Sequence, residues 1–172
     1  MHGYVTTKIS GAHYALRVTI GAYFAIEDQA EGGVKGLAER LTSFTQTVTD
    51  LRIGVVNALV GAGMDMAKAY DTFARFKMKD MSALAVALNL AIDACSWGIE
   101  DKGKAGDKGD PLTLGDVYES CYLIGIKPWD ADRMTLFQWG RCVEGFNLQQ
   151  GGETSIVPPT SEELAALFER YG

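Results

Sequence analysis

The sequence predicts a mainly α-helical protein: an N-terminal β-hairpin packed on a helical bundle, a flexible linker, and a small helical module behind it. Three observations carry this reading. A period of two in β-branched and aromatic residues marks the first twenty residues. From Gly21 onward, apolar residues recur three and four positions apart, the spacing of an amphipathic helix. Residues 100–111 read EDKGKAGDKGDP, a stretch with no apolar side chain larger than Ala, which cannot bury a core. The chain divides on this basis into residues 1–99, a linker at 100–111, a module at 112–147 and a tail at 148–172.

Val5, Thr7 and Ile9 alternate with Tyr4, Thr6 and Lys8. Tyr14, Leu16, Val18 and Ile20 alternate with His13, Ala15, Arg17 and Thr19. Ser10-Gly11 between the two runs suits a tight hairpin turn. The first helix is expected over Gly21 to Ala30, with Ala22, Ile26 and Ala30 four apart, and Gly32-Gly33 breaks it. Val34 to Phe44 resumes with Val34, Leu37, Ala38, Leu41 and Phe44 on one face. Thr49 or Asp50 is the expected cap of the next helix, whose stripe is Leu51, Val55, Ala58 and Leu59 and whose end is Gly61-Ala-Gly63. A short helix over Asp65 to Phe76 carries Ala69, Phe73 and Phe76. Asp80 or Ser82 opens the longest helix, with Leu84, Ala87, Leu88, Ala91 and Cys95 along one side and Leu90 and Ala94 widening it. That breadth places it centrally in the core.

In the second module Thr113 is a good N-cap, with Asp116 three residues on in the capping-box position. Leu114, Val117, Tyr118, Cys121 and Ile124 make one face, Gly125 stops the helix, and Lys127-Pro128-Trp129 makes the corner. Thr135 caps a helix containing Leu136, Trp139, Val143 and Phe146. Asn147 to Pro159 is polar and expected to be loose. Thr160 or Ser161 then caps a last helix, Glu162 to Tyr171, with Leu164, Leu167, Phe168 and Tyr171 as its stripe.

Bulk composition narrows the function. The 172 residues carry a net charge of −6, split unevenly: residues 1–98 balance nine basic against nine acidic side chains, and residues 99–172 hold seven against thirteen. Neither part offers the clustered positive charge that phosphate backbones require, so nucleic acid is not an expected partner. No apolar run approaches the roughly 20 residues of a membrane helix. The start, Met-His-Gly-Tyr-Val, has no basic segment followed by an apolar one, so a cytoplasmic location is expected. Three widely spaced cysteines agree with a reducing compartment.

No residue pattern points to catalysis, a cofactor or a metal. Gly98 to Ala105 approaches the phosphate-loop pattern, but Ala105 stands where a hydroxyl would hold magnesium, and the segment follows a helix. Asp101 to Leu112 approaches a calcium loop, yet its third, fifth and twelfth positions are Gly103, Ala105 and Leu112. His2 and His13 lack ligand-spaced partners, and Cys95, Cys121 and Cys142 each sit on an apolar helix face. A non-enzymatic protein is therefore expected. The remaining candidates are aromatic. Tyr118, Tyr122, Trp129, Phe137, Trp139 and Phe146 crowd a module too small to bury them all, so some should anchor a partner.

Residues 3–98 resemble the tail assembly chaperones of long-tailed phages and gene transfer agents. The family pattern Y-x-L-R-x-T-x-x-A-x-x-x-I-E is met by Tyr14, Leu16, Arg17, Thr19, Ala22, Ile26 and Glu27. A Leu-Ala-x-x-L helix follows the Gly break, and a helix ending in small residues spans Asn57 to Asp65. Residues 113–146 resemble the companion module of the same systems, with Gly125, Pro128, Met134 and Thr135 in place and Gln138 or Trp139 near a position that is acidic in the family. The tail 147–172 lies outside the resemblance. What the resemblance implies is a chaperone that sheathes the tape-measure protein and recruits tail tube subunits, itself a candidate homo-oligomer. The alternative is a structural virion component of the tail or connector, although a tube subunit should be richer in sheet.

Overall fold

The computed structural model describes residues 3–96 and 112–150. The linker at 100–111 and the helix expected at Glu162 to Tyr171 fall outside the described residues. The described chain is mainly helical, with a two-stranded antiparallel hairpin packed against the helices.

Strands β1 (Val5–Ile9) and β2 (Ala12–Leu16) pair with Val5 opposite Leu16 and Ile9 opposite Ala12. Ser10 (φ 48°) and Gly11 (φ 88°) form the two-residue turn with both residues left-handed, the geometry that matches strand twist. The alternation places Ile9 and Leu16 in the core. The second strand stops at Leu16 rather than running to Ile20. The Arg17 amide leaves the hairpin and donates to the Ala58 carbonyl at 2.9 Å. The Thr19 hydroxyl then accepts the Ala22 amide and caps α1 (Ile20–Gln29), so Ile20 is the first helical residue.

Helix α2 (Gly33–Thr42) buries Val34, Leu37 and Leu41 as expected, but Phe44 is not on that face. It stands 68% exposed with φ 57°. The Phe44 and Thr45 amides donate to the carbonyls of Leu41 and Arg40, which is the Schellman ending of a helix with Phe in the left-handed position. The same ending closes α3 (Val48–Gly61) at Gly63 and a later helix at Gly125, and there the left-handed residue is glycine.

Thr47, and neither Thr49 nor Asp50, caps α3. Its hydroxyl accepts the Asp50 amide, and the Asp50 carboxylate accepts the Thr47 amide at 2.8 Å, a reciprocal capping box. Asp50 is thus the third helical residue. Its two oxygens also take both prongs of Arg40, at 2.7 and 3.1 Å. Arg40 donates in addition to the Glu31 carbonyl, tying α2, α3 and the α1–α2 turn together.

Helix α3 buries every position from Gly54 to Leu59 and lies against β2, α1, α4 (Met66–Ala74) and α5 (Met81–Ser96). It shares the centre with α5, which packs on β1, α2 and α3. Asp80, in a short 3-10 turn before α5, accepts the Lys77 amide and the Ser10 hydroxyl and so pins the hairpin turn to the helix start. Leu90 corrects the sequence reading. It does not widen the buried stripe; it is 51% exposed beside Val86, on the flank of α5 beyond β1.

Helices α6 (Leu114–Leu123), α7 (Pro128–Ala131) and α8 (Leu136–Gln149) follow. Thr113 with Asp116 and Thr135 with Gln138 form their capping boxes. Helix α8 runs to Gln149, past the point where a loose segment was expected. Val117, Cys121, Ala131 and Leu136 join the same buried cluster as the preceding helices.

Two tests follow from the α2–α3 contacts. Asp50→Asn should cost about 2 kcal/mol, since it removes charge-assisted hydrogen bonds from a nearly buried group. Hydrogen bonding from Arg40, then from Thr47, holds the Asp50 carboxyl below its ordinary value. Its contribution is fully present above the unfolded value near 3.9 and is lost as pH falls through the lower folded value. Chemical denaturation across acid pH should show this slope in the natural protein and a flatter one in the variant. Gly54→Ala should cost about 1–3 kcal/mol in the same assay, because its Cβ would overlap the Leu88 side chain where α3 meets α5.

Candidate partner-binding surface

The docking of α6–α8 onto the first helices determines which aromatic side chains remain available. The loop after α7 presents the Asp132 and Met134 carbonyls to the start of α1, where the Gly21 and Ile20 amides donate to them at 3.2 and 2.6 Å. Arg17 reaches across from the end of β2, stacks on the Tyr4 ring at 4.9 Å and donates to Gln138 Oε1 at 2.8 Å. A hollow of about 820 Å³ lies at this junction, lined by Tyr4, Arg17, Asn57, Tyr118, Asp132 and Arg133 among others.

The six aromatic candidates divide by what their polar ends do. Tyr118 is half-buried, and its hydroxyl donates to Asp132 Oδ1 at 2.6 Å. That hydrogen bond, with burial second, pushes the phenol up to about 12. Trp139 is half-buried, with its indole N–H donating to Ser120 Oγ at 2.8 Å. Both side chains tie α6 to the loop and helix that follow, and so they belong to the internal packing of the module. Phe137 and Phe146 lie half-buried on α8.

Tyr122 and Trp129 are different. Tyr122 is 82% exposed at the end of α6, beside the exposed Leu123, and Trp129 is 59% exposed on α7. The Gly125 ending of α6 and Pro128 at the start of α7 turn the chain between them. The Lys127 ammonium sits 5.3 Å from the centre of the Trp129 ring, an exposed cation–π contact worth about 0.5–1 kcal/mol that holds the indole outward. Aromatic side chains left largely exposed are the usual anchors of protein interfaces.

The sequence reading missed two further apolar surfaces. One is Phe44 with Val48, exposed where α2 passes into α3. A Phe in a conformation that glycine adopts without strain is not legible from spacing. The other is a groove of about 420 Å³ between β1 and α5, with Val5 and Thr7 on the strand side and Val86 and Leu90 on the helix side. Its signal in the sequence was the extra width of the α5 stripe, read as burial.

Cys95 and Cys121 are buried, and burial pushes both thiols up, away from the reactive thiolate. Among the described residues no group of His, Cys, Asp and Glu is arranged to hold a metal ion, and no helix is long and apolar enough to cross a membrane.

The model of one protein family, described as phage tail tube protein, GTA-gp10, matches residues 2–95, more than half of the chain. The chain belongs to this phage tail family. The family match covers the hairpin and helices α1–α4 and nearly all of α5, so both the Phe44 surface and the β1–α5 groove lie inside the family's own segment. The Tyr122–Trp129 corner lies beyond it. Comparison with curated proteins and with solved structures found no match.

The aromatic division is testable in this phage tail family member by stability alone. Tyr122→Ala should change unfolding free energy by no more than about 0.5 kcal/mol, as surface substitutions do, and Trp129→Ala by no more than about 1 kcal/mol, the loss of its cation–π contact. Trp139→Phe should cost about 1 kcal/mol through the lost hydrogen bond. In an absorbance titration one tyrosine should ionise near pH 12. The stability held by the neutral Tyr118 phenol is present below the unfolded value near 10 and is lost as pH rises through the folded one. Asp132→Asn should move that tyrosine back toward the others.

Proposed function

We propose that this protein is a non-enzymatic tail assembly chaperone that binds the tape-measure protein and recruits tail tube subunits. The observation that carries the reading is the pairing of two exposed apolar surfaces on one small helical protein of a phage tail family. One is the β1–α5 groove inside the family segment, and the other is the Tyr122–Trp129 corner on the appended helices. A tape-measure helix with an unmatched apolar stripe would aggregate in water, and a groove edged by Val86 and Leu90 offers that stripe a place to be buried. Tyr122, Leu123 and Trp129 then remain free for a second protein. This division gives one chain two partners of the same tail, brought close together by being tethered.

The family description favours a second reading, a structural component of the tail itself. Against it stands the small share of sheet: the described residues contain a single two-stranded hairpin, which gives little material for a tube wall. Particle composition discriminates the two. A chaperone is absent from purified mature particles, and a component is present in stoichiometric amount.

Co-expression with the tape-measure protein encoded in the same tail gene cluster tests the proposal. The tape-measure protein should become soluble and co-purify only when this chain is present. A tape-measure protein that stays insoluble, with no complex formed, would sink the chaperone reading. In the soluble complex, the double change Tyr122→Ala and Trp129→Ala should keep the tape-measure protein bound while weakening tube-subunit recruitment by about 30-fold or more, the effect of losing interface anchors.

A further inference from the structure

Strand β1 has a strand neighbour on one side only. The Ser10-Gly11 turn makes Ile9 and Ala12 a hydrogen-bonded pair, and the ladder alternates from there. Val5, Thr7 and Ile9 therefore exchange their backbone bonds with β2, while the amides and carbonyls of Thr6 and Lys8 point the other way. Neither Thr6 nor Lys8 makes a further main-chain hydrogen bond among the described residues, and both are exposed. This open edge borders the groove between β1 and α5, where Val86 and Leu90 stand half-exposed beyond the strand. A strand laid against β1 would pair the free groups of Thr6 and Lys8 and cover Val86 and Leu90 with alternate side chains. We propose that this edge is a strand-addition site for an extended segment of a partner protein. The segment runs antiparallel to β1, with apolar residues at alternate positions and acidic residues at its start.

Charge sets the direction. The Ser10 hydroxyl and the Lys77 amide both donate to Asp80, where the hairpin turn meets the start of α5. Lys8, Lys77 and Lys79 are exposed within a few residues of that contact and form no ion pair among the described residues. At the other end of the groove, the exposed Asp93 follows Leu90 by one turn of α5. An antiparallel strand starts beside the lysines and ends toward Asp93, so its acidic residues belong at the start, one of them directly opposite Lys8. A second copy of this chain does not fit the edge. Pairing β1 with its counterpart about a twofold axis would keep both α5 helices on the same face of the joined sheet. Helix α5 lies on β1 more than on β2 and reaches past β1 toward that axis. Packed helices need about 8–10 Å between axes, whereas paired strands lie about 4.8 Å apart. The occupant is therefore a segment with no helix of its own on that face. A strand here and a tape-measure helix would exclude each other, since both cover Val86 and Leu90, but the strand site does not rest on the chaperone reading.

The capped synthetic peptide EVEVTVT is a suitable probe, read by amide hydrogen exchange on the full chain. With its third residue opposite Lys8, its valines face α5 and its first glutamate lies toward Lys77 and Lys79. In the free protein the Thr6 and Lys8 amides should exchange rapidly, while those of Thr7 and Ile9 are protected by β2. Saturating peptide should slow the Thr6 and Lys8 amides at least about tenfold. Methylating the third and fifth amide nitrogens of the peptide, which face β1, should weaken binding at least about tenfold. So should replacing both of its glutamates by lysine, and so should the paired surface changes Val86→Gln and Leu90→Gln. Affinity indifferent to any of these changes, or binding that leaves Thr6 and Lys8 exchanging as before, would overturn strand addition. An absence of binding at millimolar peptide would do the same. Protection of both amides in the free chain that fades on dilution would seat a second copy on the edge and refute the proposal as well. None of these measurements contains the tape-measure protein, so a failure of the chaperone reading leaves them intact.

Discussion

The start of α1 holds the molecule together. A helix begins with amides that have no intrahelical acceptor, and burying them unpaired is costly. Here the Ala22 amide is taken by the Thr19 hydroxyl, while the Ile20 and Gly21 amides are taken by carbonyls of Met134 and Asp132, more than a hundred residues away. The loop between α7 and α8 is therefore a backbone cap for α1, aligned by Arg17 reaching Gln138 on one side and Tyr118 holding Asp132 on the other. A Cβ at Gly21 would meet the Asp132 carbonyl oxygen at 3.4 Å, an ordinary contact, so the loop packs closely on the helix start. The helices beyond residue 112 are joined to the family segment by main-chain hydrogen bonds as well as by the shared apolar cluster of Val117, Cys121, Ala131 and Leu136.

Much of this architecture is written in local residue patterns. The Ser10-Gly11 turn, the Thr113–Asp116 box, the Thr135 cap and the glycine ending at Gly125 each depend on a few adjacent residues, and each stands where its pattern places it. The misreadings share one cause, which is competition settled by distant groups. Thr47 prevails over Thr49 and Asp50 as the cap of α3 because Asp50 serves better as the acceptor of Arg40 and of the Thr47 amide. Period-two alternation continues through Val18 and Ile20, but the amide of Arg17 finds Ala58 instead of β1. Leu90 satisfies a helical stripe whose outer edge nothing in the described chain covers completely.

The surface was legible to a similar degree. Composition alone showed that the second module holds more aromatic area than it can bury, and the choice among the six side chains followed from their polar ends. A phenol or indole that finds an internal acceptor is held inward, as Tyr118 and Trp139 are. Tyr122 and Trp129 extend from a corner built by Gly125 and Pro128, where no acceptor in the module claims their hydroxyl or indole. Sequence spacing cannot distinguish these cases, because Tyr118 and Tyr122 are one helical turn apart and differ only in what the α7–α8 loop brings opposite them.

The long span between Ile20 and its acceptor at Met134 also has a meaning in time. A ribosome adding about 5–20 residues per second takes roughly 6–20 s to make the chain between them. Throughout that interval the hairpin and the first helices can collapse together and Thr19 can cap α1, but the Ile20 and Gly21 amides stay hydrated. The nascent protein thus gathers most of its interior early, and Val117, Cys121, Ala131 and Leu136 complete the core together with this edge. The loop between α7 and α8 closes it, so the order of synthesis becomes the order in which this edge is finished.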